Sequence, residues 1–178
     1  MTIGWVALQV RSKAEGRVAF SLRSKGYECF LPLLKTQPSD SSTQHCGSPL
    51  FPGYVFCYVN TVGQRQTSGL IVTTPGVLRF VSFGHGPALI DESEIAAIKQ
   101  AVESDCRIGP HPHLTTGERV DVVGGPLRGV SGLLVRFRNG NRVVLSLNLL
   151  RRSMFVEVEL ADLIPAKAVL SIPRTSAA

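Results

Sequence analysis

The chain opens on Trp5-Val6-Ala7-Leu8-Gln9-Val10, an apolar run of strand length. Behind it Ala14, Val18, Ala19 and Leu22 recur on one helical face, with Arg11, Lys13, Arg17, Arg23 and Lys25 at the polar positions. Ser12 is placed to cap this helix and Gly26 to end it. Residues 27–33 are apolar and aromatic and predict a second strand, closed by Pro32. Residues 36–49 are a polar cluster of turn formers, too poor in apolar side chains to pack, and predict a mobile loop. From Leu50 the pattern tightens again. Pro52-Gly53 predicts a turn into a strand, in which Tyr54, Phe56 and Tyr58 share one face and Val55, Cys57 and Val59 the other. Both faces are apolar, so two readings stand. The strand is central and buried on both sides, or one face is open as an aromatic docking surface.

Residues 75–81 predict a further turn and strand. Asp91 opens a helix, with Glu94 three residues on as in a capping box and Ile95, Ile98 and Val102 as its inner stripe. Strand, helix, strand, strand, helix is the order of a small α/β sandwich, with helices flanking an antiparallel or mixed sheet. Residues 105–116 contain Pro110, His111, Pro112 and His113 and read as a linker stiffened by proline. Beyond it the helical period disappears. Four β-type runs follow, at 119–123, 133–137, 142–147 and 155–160, with Asn139-Gly140 between the second and third as a hairpin signal. Several short strands in some fifty residues predict a small closed barrel. The expected class is therefore α+β, with domains at 1–104 and 117–166, a linker at 105–116 and a C-terminal tail at 167–178.

Composition narrows the partners. At 44% hydrophobic and 18% charged the chain can bury a core. Its net charge is +6, divided as +3 over residues 1–40, −1 over 41–110 and +4 over 111–178. Basic ends favour nucleic acid or an acidic protein surface. Cys29, Cys46, Cys57 and Cys106 form no C-x-x-C pair and follow no secretory signal, so free thiols in a reducing cytoplasm are expected. No run approaches a membrane span. Cys106 with His111-x-His113 is a weak ligand set, and no metal or cofactor is expected. No nucleophile elbow, P-loop or dinucleotide fingerprint occurs, and His85 lies between two glycines as a loop residue. Nothing in the sequence calls for an enzyme.

Two segments carry a resemblance. Gly124-Gly125-Pro126-Leu127-Arg128-Gly129-Val130-Ser131-Gly132 resembles a KOW motif, with Gly125, Pro126, Gly129 and Gly132 at its characteristic positions. Trp5, Phe51-Pro52-Gly53-Tyr54-Val55-Phe56, Thr74-Pro75-Gly76-Val77 and Phe80-Val81 resemble, in order and spacing, the N-terminal domain of the NusG family. Residues 68–74 lack the tryptophan usual in housekeeping members. With Phe80-Val81-Ser82-Phe83-Gly84 and the segment 149–158, this makes the chain look most like specialised paralogs that act as transcription antiterminators. The loop at 36–49 departs from many such relatives in having no lysine or arginine.

The resemblance implies an NGN-like first domain and a small SH3-like KOW barrel. It implies a monomeric elongation and antitermination factor that suppresses pausing or termination. Phe51, Tyr54 and Phe56 would dock on the clamp helices of the largest subunit of RNA polymerase, and Thr73 and Thr74 would face the second-largest subunit. Arg11 and Arg17 would touch the non-template DNA strand. The KOW domain would recruit a ribosomal small-subunit protein or Rho. A different class of function, a ribosome-associated RNA-binding KOW protein, fits the basic C-terminal half but leaves the aromatic strand without a role.

Overall fold

Apolar residues on both faces of the first strand set the architecture, because each face needs its own cover. In the computed structural model, residues 3–34, 47–60, 65–82, 86–111, 117–137 and 140–166 are described. Strand β1 (Ile3–Val10) lies at the centre of an antiparallel sheet. β3 (Tyr54–Asn60) runs along one side of it, and β4 (Val77–Phe80) and β5 (Leu89–Ile90) pair along the other. β2 (Cys29–Phe30) forms the edge beyond β3.

Val6, Leu8 and Val10 of β1, with Val55, Cys57 and Val59 of β3, meet helix α1 (Glu15–Ser24) through Val18, Ala19 and Leu22. Ile71 of α2 (Arg65–Val72) completes this core. On the opposite face Trp5, Ala7 and Phe56 are covered by α3 (Glu92–Glu103) through Ile95, Ile98 and Ala101. The sheet is therefore antiparallel throughout its pairings, with helices on both faces.

Several local expectations change. Asp91 caps α3 as anticipated, its carboxylate accepting from the Ser93 N–H at 2.8 Å. The hydroxyl and N–H of Ser93 hold that carboxyl below the ordinary aspartate range. Ser12 does not cap α1. Lys13 turns the chain in the left-handed region (φ 63°) and Ala14 takes the cap position without a side-chain bond. The second strand is only two residues long rather than 27–33. Helix α2 had no periodic signature, because Ile71 is its buried anchor while Leu70 and Val72 on either side are exposed. The loop expected at 36–49 lies outside the described residues except at its end, where Pro49 bridges to Leu33.

The second sheet has six antiparallel strands: β6 (Ile108–His111), β7 (Glu118–Val122), β8 (Ser131–Phe137), β9 (Gly140–Leu147), β10 (Arg152–Val158) and β11 (Leu163–Pro165). Their order is β11-β7-β8-β9-β10-β6. Part of the expected linker, Ile108–His111, is thus a strand paired with β10. Pro110 fits there because β6 is an edge, where a missing N–H costs no ladder bond. No pairing among the described residues joins β11 to β6, so the sheet is not closed into a barrel by its ladder. The hairpin between β8 and β9 is present, its last pair being Phe137 with Gly140. Asn139 of the hairpin signal, His85, His113 and the tail from 167 lie outside the described residues.

Candidate functional site

The face of the first sheet that carries Tyr54, Phe56 and Tyr58 is the candidate docking surface. Register places Trp5 opposite Tyr58, Ala7 opposite Phe56 and Gln9 opposite Tyr54, with Phe30 outside Phe56. These residues share one side of the pleat. Phe56 is completely buried and Phe51 nearly so, while Phe30, Tyr54 and Tyr58 are half-buried. Phe56 is the hub: the Phe51 ring meets it edge-on at 6.0 Å, and Phe30 lies tilted at 6.1 Å. Trp5 and Tyr58 form a T-shaped pair at 5.7 Å. Lys99 of α3 places its ammonium 4.4 Å from the centre of the Trp5 ring and pairs with Glu28 at 3.3 Å. The strand is therefore buried on both sides along most of its length, and the accessible part of its aromatic face narrows to Tyr54 and the rims of Phe30 and Tyr58.

The Pro52-Gly53 turn that presents Tyr54 is tied down by a buried acid. Glu15, 4% exposed at the start of α1, accepts from the Gly53 N–H at 2.8 Å. Gly53, in the left-handed region (φ 85°), accepts in turn from the Val10 N–H at 2.9 Å. Sequence reading passed over Glu15, because a carboxylate in the first turn of a helix ordinarily serves the helix dipole. Glu15→Ala is expected to cost about 1–3 kcal/mol by stranding the Gly53 N–H, measured by urea denaturation. Glu15→Gln, which keeps an acceptor oxygen, should recover most of that loss.

The threonines differ. Thr73 is exposed at the end of α2, its hydroxyl donating to the Gly69 carbonyl at 2.8 Å. Thr74 is 1% exposed and faces inward. Its hydroxyl donates to the Leu70 carbonyl at 2.9 Å and accepts from the Lys25 ammonium at 2.7 Å. In this conformation Thr74 closes α2 against α1 and offers no free polar group at the surface.

Arg11 and Arg17 are exposed, and neither side chain has a hydrogen-bond or ion-pair partner among the described residues. Arg23 and Lys25 are engaged, Arg23 with the Cys29 carbonyl and Lys25 with α2. Phe20, 72% exposed, lies one helical turn beyond Arg17 on the outer side of α1. Sequence reading did not single it out, although an aromatic lying off the apolar stripe was the signal available.

In the second sheet Gly125 and Gly129 take positive φ, 66° and 91°, around a short 3-10 turn that begins Gly125-Pro126-Leu127. Leu127 and Val130 plug this turn into the core, and Val122 accepts from the Gly129 N–H while donating to the Val130 carbonyl. Gly132 lies where β8 crosses closely over β9. The same turn meets α3: the Gln100 amide donates to the Pro126 carbonyl at 3.0 Å and the Arg128 carbonyl at 3.2 Å. Apolar packing is continuous from Phe56 and Ile98 through to Val143, Leu145 and Met154. Helix α3 therefore stands between the aromatic face and the glycine-rich turn.

The family model described as transcription termination factor NusG matches residues 4–99, more than half of the chain, from β1 into α3. The chain belongs to the NusG family. NusG-family proteins are transcription factors rather than enzymes. Among solved structures, one of NusG from Thermotoga maritima, described by its domain interaction, is similar at 19% identity and a TM-score of 0.55. That likeness covers 94% of this chain and 99% of that one, and shows a shared fold. Two conformations, B and A, of the MjSpt4:Spt5 complex also match, each at 18% identity over 92% of this chain, covering 97% and 98% of theirs, with TM-scores of 0.33 and 0.31. No curated protein matches. No helix among the described residues is long and apolar enough to cross a membrane.

Proposed function

We propose that this NusG-family chain is a transcription elongation factor that docks on RNA polymerase through the Tyr54 end of its aromatic face. The family match across residues 4–99 carries this reading, because it spans the turn and strand that present Tyr54. Tyr54 meets the clamp helices of the largest subunit, while Phe51 and Phe56 support it from the core. Thr73 lies toward the second-largest subunit. A protein that binds both jaws in one arrangement shifts the clamp toward closure and disfavours pausing, with no chemical step. Arg11 and Arg17 supply cations to the non-template strand, and Phe20 offers a ring on which a base can stack. The second sheet serves as the KOW module, recruiting a ribosomal small-subunit protein or Rho. The lack of a tryptophan at 68–74 favours a specialised antiterminator.

The test is retention of purified RNA polymerase by the wild-type chain and by Tyr54→Ala, with folding of the variant checked by circular dichroism. Retention by the wild type and binding weakened roughly 30-fold by the variant, the loss of one interface anchor of about 2 kcal/mol, are expected. No retention of polymerase by the wild type at low and moderate salt would overturn the reading. Undiminished binding by folded Tyr54→Ala would move the docking surface off this face.

A further inference from the structure

Two thiols in the first sheet have no part in docking. Cys29 on β2 and Cys57 on β3 are direct cross-strand partners, with their sulfurs 3.6 Å apart. Both are buried, Cys57 completely and Cys29 at the 9% exposure of an edge strand two residues long. The Tyr58 N–H donates to the Glu28 carbonyl, which makes 28 and 58 a hydrogen-bonded pair. Cys29 and Cys57, one residue along, are then a non-hydrogen-bonded pair. At such positions side chains approach most closely, and the Cα separation of about 4.5 Å falls within the range a disulfide spans. Bond formation needs the sulfurs to close by roughly 1.5 Å, within reach of side-chain rotation.

The surroundings differentiate the two sulfurs. The hydrogen bond with Cys57 holds the Cys29 thiol below the ordinary range, and the Arg23 guanidinium, which also binds the Cys29 carbonyl, acts in the same direction against burial. The bond with Cys29 and burial push the Cys57 thiol up.

We propose that Cys29 and Cys57 form a peroxide-sensitive dithiol that closes reversibly to a disulfide, with Cys29 as the attacking sulfur and Cys57 as the resolving one. The Cys29 thiolate attacks one oxygen of the peroxide and the O–O bond breaks. The departing oxygen leaves as water after protonation, and Cys29 becomes a sulfenic acid. The Cys57 sulfur then attacks the Cys29 sulfur. The S–O bond breaks, and the leaving hydroxide takes the Cys57 proton as a second water. Two thiols are oxidised by two electrons and one peroxide is reduced. A dithiol reductant reverses the bond by exchange. The cross-link pins the edge strand to β3. It thereby fixes Phe30 against Phe56 on the opposite face, beside the proposed docking surface. This inference does not depend on polymerase binding.

The experiment uses the full chain carrying Cys46→Ser and Cys106→Ser, so that Cys29 and Cys57 are the remaining thiols, treated with hydrogen peroxide under native conditions. The expected result is an intact mass lower by two hydrogen atoms, a cross-linked peptide pair containing Cys29 and Cys57, and recovery of both thiols with dithiothreitol. With Cys57→Ser added, a dimedone adduct should accumulate on Cys29. Retention of both free thiols would overturn the proposal. So would oxygen addition without a cross-link, a bond between separate chains, or an adduct absent from Cys29 in the Cys57→Ser variant.

Discussion

Phe56→Ala should lower the stability of this chain by about 3–5 kcal/mol, the cost of a large cavity where an aromatic ring was fully enclosed. Phe56 is among the largest completely buried side chains and touches both Phe51 and Phe30. Domains of this kind hold only about 5–15 kcal/mol against unfolding, so the loss consumes a large share of it. Urea denaturation should show the midpoint falling sharply for Phe56→Ala and shifting little for Tyr54→Ala, whose ring is half-buried at the rim. The contrast bears on function. Loss of polymerase binding in a Phe56 variant reports the fold, whereas loss in a Tyr54 variant reports the surface. Equal destabilisation by the two substitutions would show that Tyr54 is part of the core.

Gly132→Val should be the most damaging change in the second sheet, at about 3 kcal/mol or more. A Cβ on Gly132 would stand 2.7 Å from the Val144 carbonyl oxygen and overlap the Val143 side chain, with Leu145 at 3.2 Å. Two of the three neighbours are branched side chains inside the core and the third is backbone, so none can move freely. The β8–β9 pairing must open to admit the methyl groups. Amide hydrogen exchange should therefore show protection lost across 131–137 and 142–147, while β1 and β3 keep theirs. Unchanged protection in the second sheet would show that β8 can shift without loss of pairing.

The local elements were largely legible in the sequence. Ala14, Val18, Ala19 and Leu22 mark the buried side of α1, and all four are buried. Asp91 starts α3. The spacing of Gly125, Pro126, Gly129 and Gly132 locates the tight turn and the close crossing in the second sheet. These follow from periodicity and backbone conformation, which each short segment carries within itself.

The state of the candidate site was not legible, because it depends on partners remote in sequence. The pattern of β3 admits either an open or a covered aromatic face. The face is covered where α3 lays Ile95 and Ile98 on it, and it stays accessible at Tyr54. Thr74 reads as a surface polar residue until Lys25, just past the end of α1, is found on its hydroxyl. Glu15 reads as a helix-start carboxylate until the Gly53 turn closes over it. Ile108–His111 reads as linker until β10 supplies a ladder for it. Sequence alone pointed to the family, to helices α1 and α3, to the longer strands of both sheets and to the aromatic residues proposed for docking, but not to α2, β5, β6 or β11. Tertiary structure decided which of them face solvent, because burial is a property of the surfaces that meet and not of the segment that carries the residue.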